Sequence, residues 1–149
     1  MAKLRSDVPQ PVVLTDRSVR GRPDVIIEFL FDQGLLHLAL RNIGESPAIA
    51  ISVKFDKKIV GLGGRKDIST LPVFQRVEFL GPGREIVAFV DQSHSYFARK
   101  QPTKISASLA YSDSDKRKYE VTINHDLEIY RELPYLACVS DTCMHHPKD

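Results

Sequence analysis

The stretch Val25-Ile-Ile-Glu-Phe-Leu-Phe-Asp-Gln-Gly-Leu-Leu-His-Leu-Ala-Leu-Arg41 decides the fold class, because its apolar residues recur with period two rather than with helical spacing. Val25, Ile27, Phe29 and Phe31 alternate with Ile26, Glu28 and Leu30. Both faces are rather apolar, so the strand is expected inside a sheet. Asp32-Gln33-Gly34 supplies a turn, and Leu36, Leu38 and Leu40 then alternate with Leu35, His37, Ala39 and Arg41. The two strands read as a hairpin.

Beyond Asn42-Ile-Gly-Glu-Ser-Pro47 a third strand sets Ile49, Ile51, Val53 and Phe55 against Ala50, Ser52, Lys54 and Asp56, a half-buried pattern with a polar outer face. Lys57 to Leu71, rich in glycine and charge, reads as a long loop with a short strand at Lys58 to Val60. Val73 to Leu80 and Arg84 to Asp91 read as two strands around Gly81-Pro82-Gly83, with Ile86, Ala88 and Val90 facing the core. Asp91 to Arg99 lacks alternation and predicts a single helical turn, capped by Asp91 or Ser93, that tucks Tyr96 and Phe97 against a sheet edge. Ile105, Ala107, Leu109 and Tyr111 form the next strand, and Tyr119, Val121 and Ile123 return it, with Leu127 and Ile129 continuing the same strand. About seven strands with turn signals roughly every ten residues, and no long amphipathic helix, predict an all-β antiparallel sandwich.

Three regions follow. Residues 1–23 carry prolines and scattered charges without periodicity and read as an extended or mobile arm. Residues 24–130 form the sandwich, and residues 131–149 a C-terminal tail, partly disordered. At 149 residues the chain suits one domain with a core of its own. With 21 basic and 19 acidic residues the formal charge is +2, too weak a bias to favour a polyanionic partner, so nucleic acid is not expected. The apolar run Val12-Val13-Leu14 is far below the roughly seven to fifteen residues of a secretory signal. No run reaches the roughly eighteen apolar residues of a membrane span. The two cysteines, Cys138 and Cys143, fall in the tail, so a cytoplasmic location is the expectation.

Asn42-Ile43-Gly44-Glu45-Ser46-Pro47-Ala48, set between two strands, resembles the Asn-x-Gly-x-x-Pro-Ala junction of bacterial immunoglobulin-like modules of the CARDB-like type. Leu80-Gly81-Pro82-Gly83-Arg84-Glu85 is similar to the turn before a later strand in such modules, and Ala110-Tyr111-Ser112-Asp113 to their penultimate strand. The resemblance spans about residues 24 to 130. It implies an immunoglobulin-like β-sandwich serving as a noncatalytic adhesive or accessory module, often attached to larger surface or membrane proteins. Turn chemistry alone accounts for the same residues, since Asn and Gly tolerate left-handed φ while Pro and Gly set turns.

Candidate chemistry is sparse. Cys138, Cys143, His145 and His146 are four potential zinc ligands within nine residues. Their Cys-x4-Cys-x-His-His spacing is not the paired knuckle of a structural zinc site, so the tail reads as exposed chain; a disulfide between the cysteines would close only a local loop. Ser93-His94-Ser95 and His125-Asp126 match no catalytic arrangement, because neighbours on a strand point to opposite faces. His37 and His125 are expected on half-buried sheet faces. Asp113-Ser114-Asp115 reads as a hairpin tip rather than a calcium loop, and Gly61-Leu-Gly-Gly-Arg-Lys66 as a flexible loop rather than a phosphate cradle. Basic residues recur near predicted turns at Lys57, Lys58, Arg65, Lys66, Arg99, Lys100, Lys116, Arg117 and Lys118. Gathered at one end, they would offer an anion site; the alternative is a solvated rim that protects sheet edges. The expectation is a non-enzymatic, cofactor-free module that binds a protein partner, with weak anion or nucleic-acid binding through the basic loops, or metal binding through the tail, as alternatives.

Overall fold

Alternating apolar residues become strands wherever the chain can bury one face, and a computed structural model describes residues 21–131. Its strands are β1 (Val25–Asp32), β2 (Leu35–Asn42), β3 (Ala48–Phe55), β4 (Val60–Gly61), β5 (Lys66–Asp67), β6 (Val77–Leu80), β7 (Glu85–Gln92), β8 (Lys104–Ser112) and β9 (Lys118–Asp126). Two short helices interrupt them, α1 (Pro72–Gln75) and α2 (Ser93–Ala98). The antiparallel sheets order as β1-β2-β7 and β9-β8-β3-β6, with β4-β5 a separate two-residue ribbon. This is the all-β sandwich that the period-two pattern predicts. Its core joins Val25, Ile27 and Phe29 of β1, Leu36, Leu38 and Leu40 of β2, Ile51 and Val53 of β3, and Ile105, Ala107 and Leu109 of β8. Each large aliphatic side chain removed from water there contributes roughly 1.5–3 kcal/mol.

The chain crosses between the sheets three times: after β2, after β6 and after β7. The first two crossings meet at Asn42, which is 1% exposed. Its Oδ1 accepts from the N–H of Asp24 at 3.2 Å and of Gly44 at 3.0 Å. Its Nδ2 donates to the carbonyls of Ser46 at 2.8 Å and Leu80 at 3.0 Å. Its backbone binds the third partner segment, with N–H to Arg84 O and C=O from Gly83 N. A buried amide with its hydrogen-bonding groups so occupied fixes both crossings to one another.

Five local expectations are corrected. β1 is an edge strand, not an interior one; its second apolar set, Ile26 and Leu30, lies half-buried on the outer face of the sheet. In β3, Ala50 adopts φ +54° and inserts an extra residue opposite β8, so Ala48, Ile51 and Val53 enter the core and Ile49 turns away from it. Pro72 opens α1 at a position where its missing N–H costs nothing, so Val73 is helical and the strand begins at Val77. The α2 turn forms where expected and buries Tyr96 and Phe97, but its cap position is Gln92 and no side chain caps it. Leu127–Tyr130 is a 3-10 turn, because the Asp126 carboxylate accepts from Glu128 N–H and ends the strand.

Candidate interaction surface

The outer face of the three-stranded sheet is built by the residues that alternate with the core. Register places Leu30 beside His37 and His37 beside Phe89, then Glu28 beside Ala39 and Ala39 beside Val87. Ala39 is fully covered by these neighbours, while Val87 and Phe89 are 46% and 40% exposed. His37 and Phe89 meet edge to face with ring centroids 5.5 Å apart. One row further, Arg41 pairs with Glu28 at 2.5 Å and reaches Glu85 at 3.4 Å. The result is an apolar patch with a charged rim.

The nine candidate anion-binding bases do not form one group. Lys57 and Lys58 follow β3, Arg99 and Lys100 precede β8, and Gly64, next to Arg65 and Lys66, lies beside the Arg99 side chain. Those six therefore share the end of the sandwich where β8 starts. Lys116, Arg117 and Lys118 lie at the β8–β9 hairpin, which is the opposite end. Arg99 is withdrawn from any ligand: its guanidinium binds Asp91 at 2.7 Å, Val60 O at 2.6 Å and Ser95 Oγ at 2.9 Å. Lys57 Nζ donates to Lys104 O at 2.5 Å. Lys58, Arg65, Lys66 and Lys100 are left exposed at the surface.

The glycine-rich segment is not a flexible loop. Leu62–Gly64 is a 3-10 turn, Gly63 N–H donates to Asp91, and Gly61 packs directly on the backbone of Val90. The short strand expected at Lys58 to Val60 is instead the ribbon of β4 with β5. Asp67 completes this unit by accepting from Ile59 N–H, Ser69 N–H and Ser69 Oγ.

At the same end an open cleft of about 410 Å³ is lined by Asp56, Lys57, Lys104, Asn124, His125 and Asp126, among others. Its acids are engaged: Asp56 accepts from Ser106 N–H, and Asp126 from Glu128 N–H. His125 Nε2 lies 3.0 Å from Ile27 O, so the ring must carry its proton on that nitrogen, and it meets Phe29 edge to face at 5.2 Å. His125 and Asp126 thus face different neighbours, as strand geometry requires. On α2, Ser93 is buried and His94 exposed, so that trio too converges on no common atom.

Burial holds the His125 pKa below its ordinary value, against the pull of Ile27 O and Glu28. A depressed histidine pKa stabilises the fold fully above the unfolded value near 6.5, and that stability is lost as pH falls through the lower folded value. Chemical denaturation across this window is expected to show a weakening on acidification that His125→Gln removes.

The hairpin tip behaves as read. Burial alone pushes the Asp113 carboxyl up, but hydrogen bonds from Tyr119 OH and the N–H groups of Arg117 and Asp115 hold its pKa below the ordinary value. Its oxygens accept from the turn's own N–H and O–H groups. Among the described residues no group of three or more His, Cys, Asp or Glu is placed to hold a metal. Cys138, Cys143, His145 and His146 lie outside the described residues, as does the arm up to residue 20. Among the described residues, no helix is long and apolar enough to cross a membrane.

The apolar face was missed in sequence because its parts come from three strands, and only register unites them. The signal available was the second apolar set on β1, Ile26 and Leu30, which served there as an argument for an interior strand. Comparison with curated proteins found no match. A family model described as a domain of unknown function, DUF8453, matches residues 5–131, which is most of the chain and all but a few residues of the sandwich's preceding segment. The chain therefore belongs to the DUF8453 family.

Proposed function

We propose that this chain is a noncatalytic interaction module of immunoglobulin-like build, docking a protein partner on the outer face of its three-stranded sheet. The observation that carries the reading is the apolar patch of Leu30, His37, Val87 and Phe89 around covered Ala39, with its Glu28–Arg41–Glu85 rim. The three-plus-four strand order and the resemblance of the Asn42–Ala48 junction to CARDB-like modules support the immunoglobulin-like part. The test is quantitative capture of partners from the source cell with the native chain and with Val87→Glu and Phe89→Glu. Exposed positions should tolerate both changes, so melting is unaltered, while affinity falls at least about tenfold. Unchanged capture by both folded variants sinks this reading.

The four bases left at the surface of one end, Lys58, Arg65, Lys66 and Lys100, where Asp56, Asp67, Asp91 and Asp126 are occupied by internal hydrogen bonds, favour anion binding as the second reading. Salt separates the two. Binding through phosphates weakens steeply as salt rises, whereas docking on the apolar face persists.

A further inference from the structure

A sandwich of two open sheets has four edges, and an exposed edge strand invites pairing with another chain. Three edges here are protected. β6 is four residues long. On β1, the outward backbone groups are met by side chains: Val25 N–H by Tyr111 OH, Ile27 O by His125, and Phe29 O by Tyr130 OH. β7 is bent by a bulge between its pairings with Leu36 and His37, and Gly61 and Gly63 pack on that end.

β9 differs. It runs nine residues, Lys118–Asp126, in unbroken register with β8, and among the described residues no hydrogen bond is made to its outer edge from Lys118 to Asn124. Alternation fixes which groups that edge presents. Ser106 turns its own N–H and C=O to Asp56, and Leu127 N–H reaches Thr103 O. The β8–β9 bonds therefore pass through His125, Ile123, Val121 and Tyr119. Lys118, Glu120, Thr122 and Asn124 direct their N–H and C=O outward, while Asp126 offers only its N–H, its C=O opening the 3-10 turn that follows.

We propose that this edge pairs with the same edge of a second copy of the chain, antiparallel about a twofold axis at Thr122. In that register every outward residue meets an outward residue: Thr122 its own copy, Glu120 meets Asn124, and Lys118 meets Asp126. Opposite charges face each other at both ends, and no like charges do. Val121, 36% exposed, comes beside Ile123 of the second copy. The neighbouring registers are worse: one sets Glu120 against Asp126, and the other loses the Lys118–Asp126 pair. Parallel pairing would set Lys118 against Lys118. The contact is isologous, as closed dimers require, and joins two four-stranded sheets into one of eight.

The test is sedimentation of the full chain from micromolar to millimolar concentration, with melting curves to confirm each variant folds. The native chain is expected to pass from monomer to dimer. Thr122→Pro removes an outward N–H and the exposed hydroxyl beside Ser108 Oγ but no β8–β9 backbone bond, so it should leave that pairing in place while weakening association at least about tenfold. Lys118→Asp and Asp126→Lys, each set against its own copy, place like charges together and should stay monomeric. Mixed with one another they regain opposite charges and should associate. A native chain monomeric throughout, or a dimer unaffected by Thr122→Pro and by Lys118→Asp, overturns the proposal.

Discussion

Replacing Asn42 with alanine is expected to destabilise the domain by about 4 kcal/mol, measured by urea denaturation at neutral pH. The amide is 1% exposed and serves four backbone groups from three segments: Asp24, the junction residues Gly44 and Ser46, and Leu80. Alanine leaves those groups without their partner and opens a void between the two sheet crossings. Each buried polar group left unpaired costs about 1–3 kcal/mol, and the sum falls short of additive because neighbours relax. Asn42→Asp sharpens the test. An ionised carboxylate keeps an acceptor for the N–H groups of Asp24 and Gly44 but loses the Nδ2 donor, so it confronts the carbonyls of Ser46 and Leu80. Its loss should match or exceed that of alanine at neutral pH and shrink on acidification, where the carboxyl regains a donor. A change below about 1 kcal/mol for Asn42→Ala would show that the crossings do not depend on it.

Gly61→Ala is expected to cost about 3 kcal/mol or more, with Gly63→Ala as its control. A Cβ on Gly61 would stand 2.0 Å from Val90 O and 2.9 Å from Val90 C, both backbone atoms of β7. Its φ of −118° suits any residue, so the requirement is proximity and not conformation. Gly63 reverses the two: φ is +70°, and a Cβ there meets nothing within 4 Å. Alanine at Gly63 should therefore cost only the left-handed backbone penalty of about 1 kcal/mol. Thermal melts that rank the two variants the other way would refute the close packing of this segment on β7.

Those two sites show what a sequence makes legible. The strands were readable because burial of one face imposes period two on the residues themselves, and the tip at Asp113 because local turn chemistry is written in adjacent positions. Asn42 was visible as part of a junction, yet its partner Leu80 lies 38 residues away, so its role as the link between crossings was not. Gly61 looked flexible because composition reports freedom of the chain, whereas Val90 takes that freedom away from a distance. Arg99 read as a surface base because its partners are set by the fold: Asp91 is brought to it across α2 and the Val60 carbonyl from 39 positions away. Edge or interior position for β1 depends on which strand pairs beside it, and no periodicity within β1 encodes that. The apolar outer face and the β9 edge are likewise properties of register between strands.

The side chains that close the β1 edge come from the far end of the domain, with 86, 98 and 101 residues between partners for Tyr111, His125 and Tyr130. During synthesis the first strand therefore emerges long before its covers exist, and a ribosome must release nearly the whole domain before that strand is sealed. Truncated or stalled chains would carry an open β1 edge, the kind of unpaired strand that makes incomplete domains prone to aggregate.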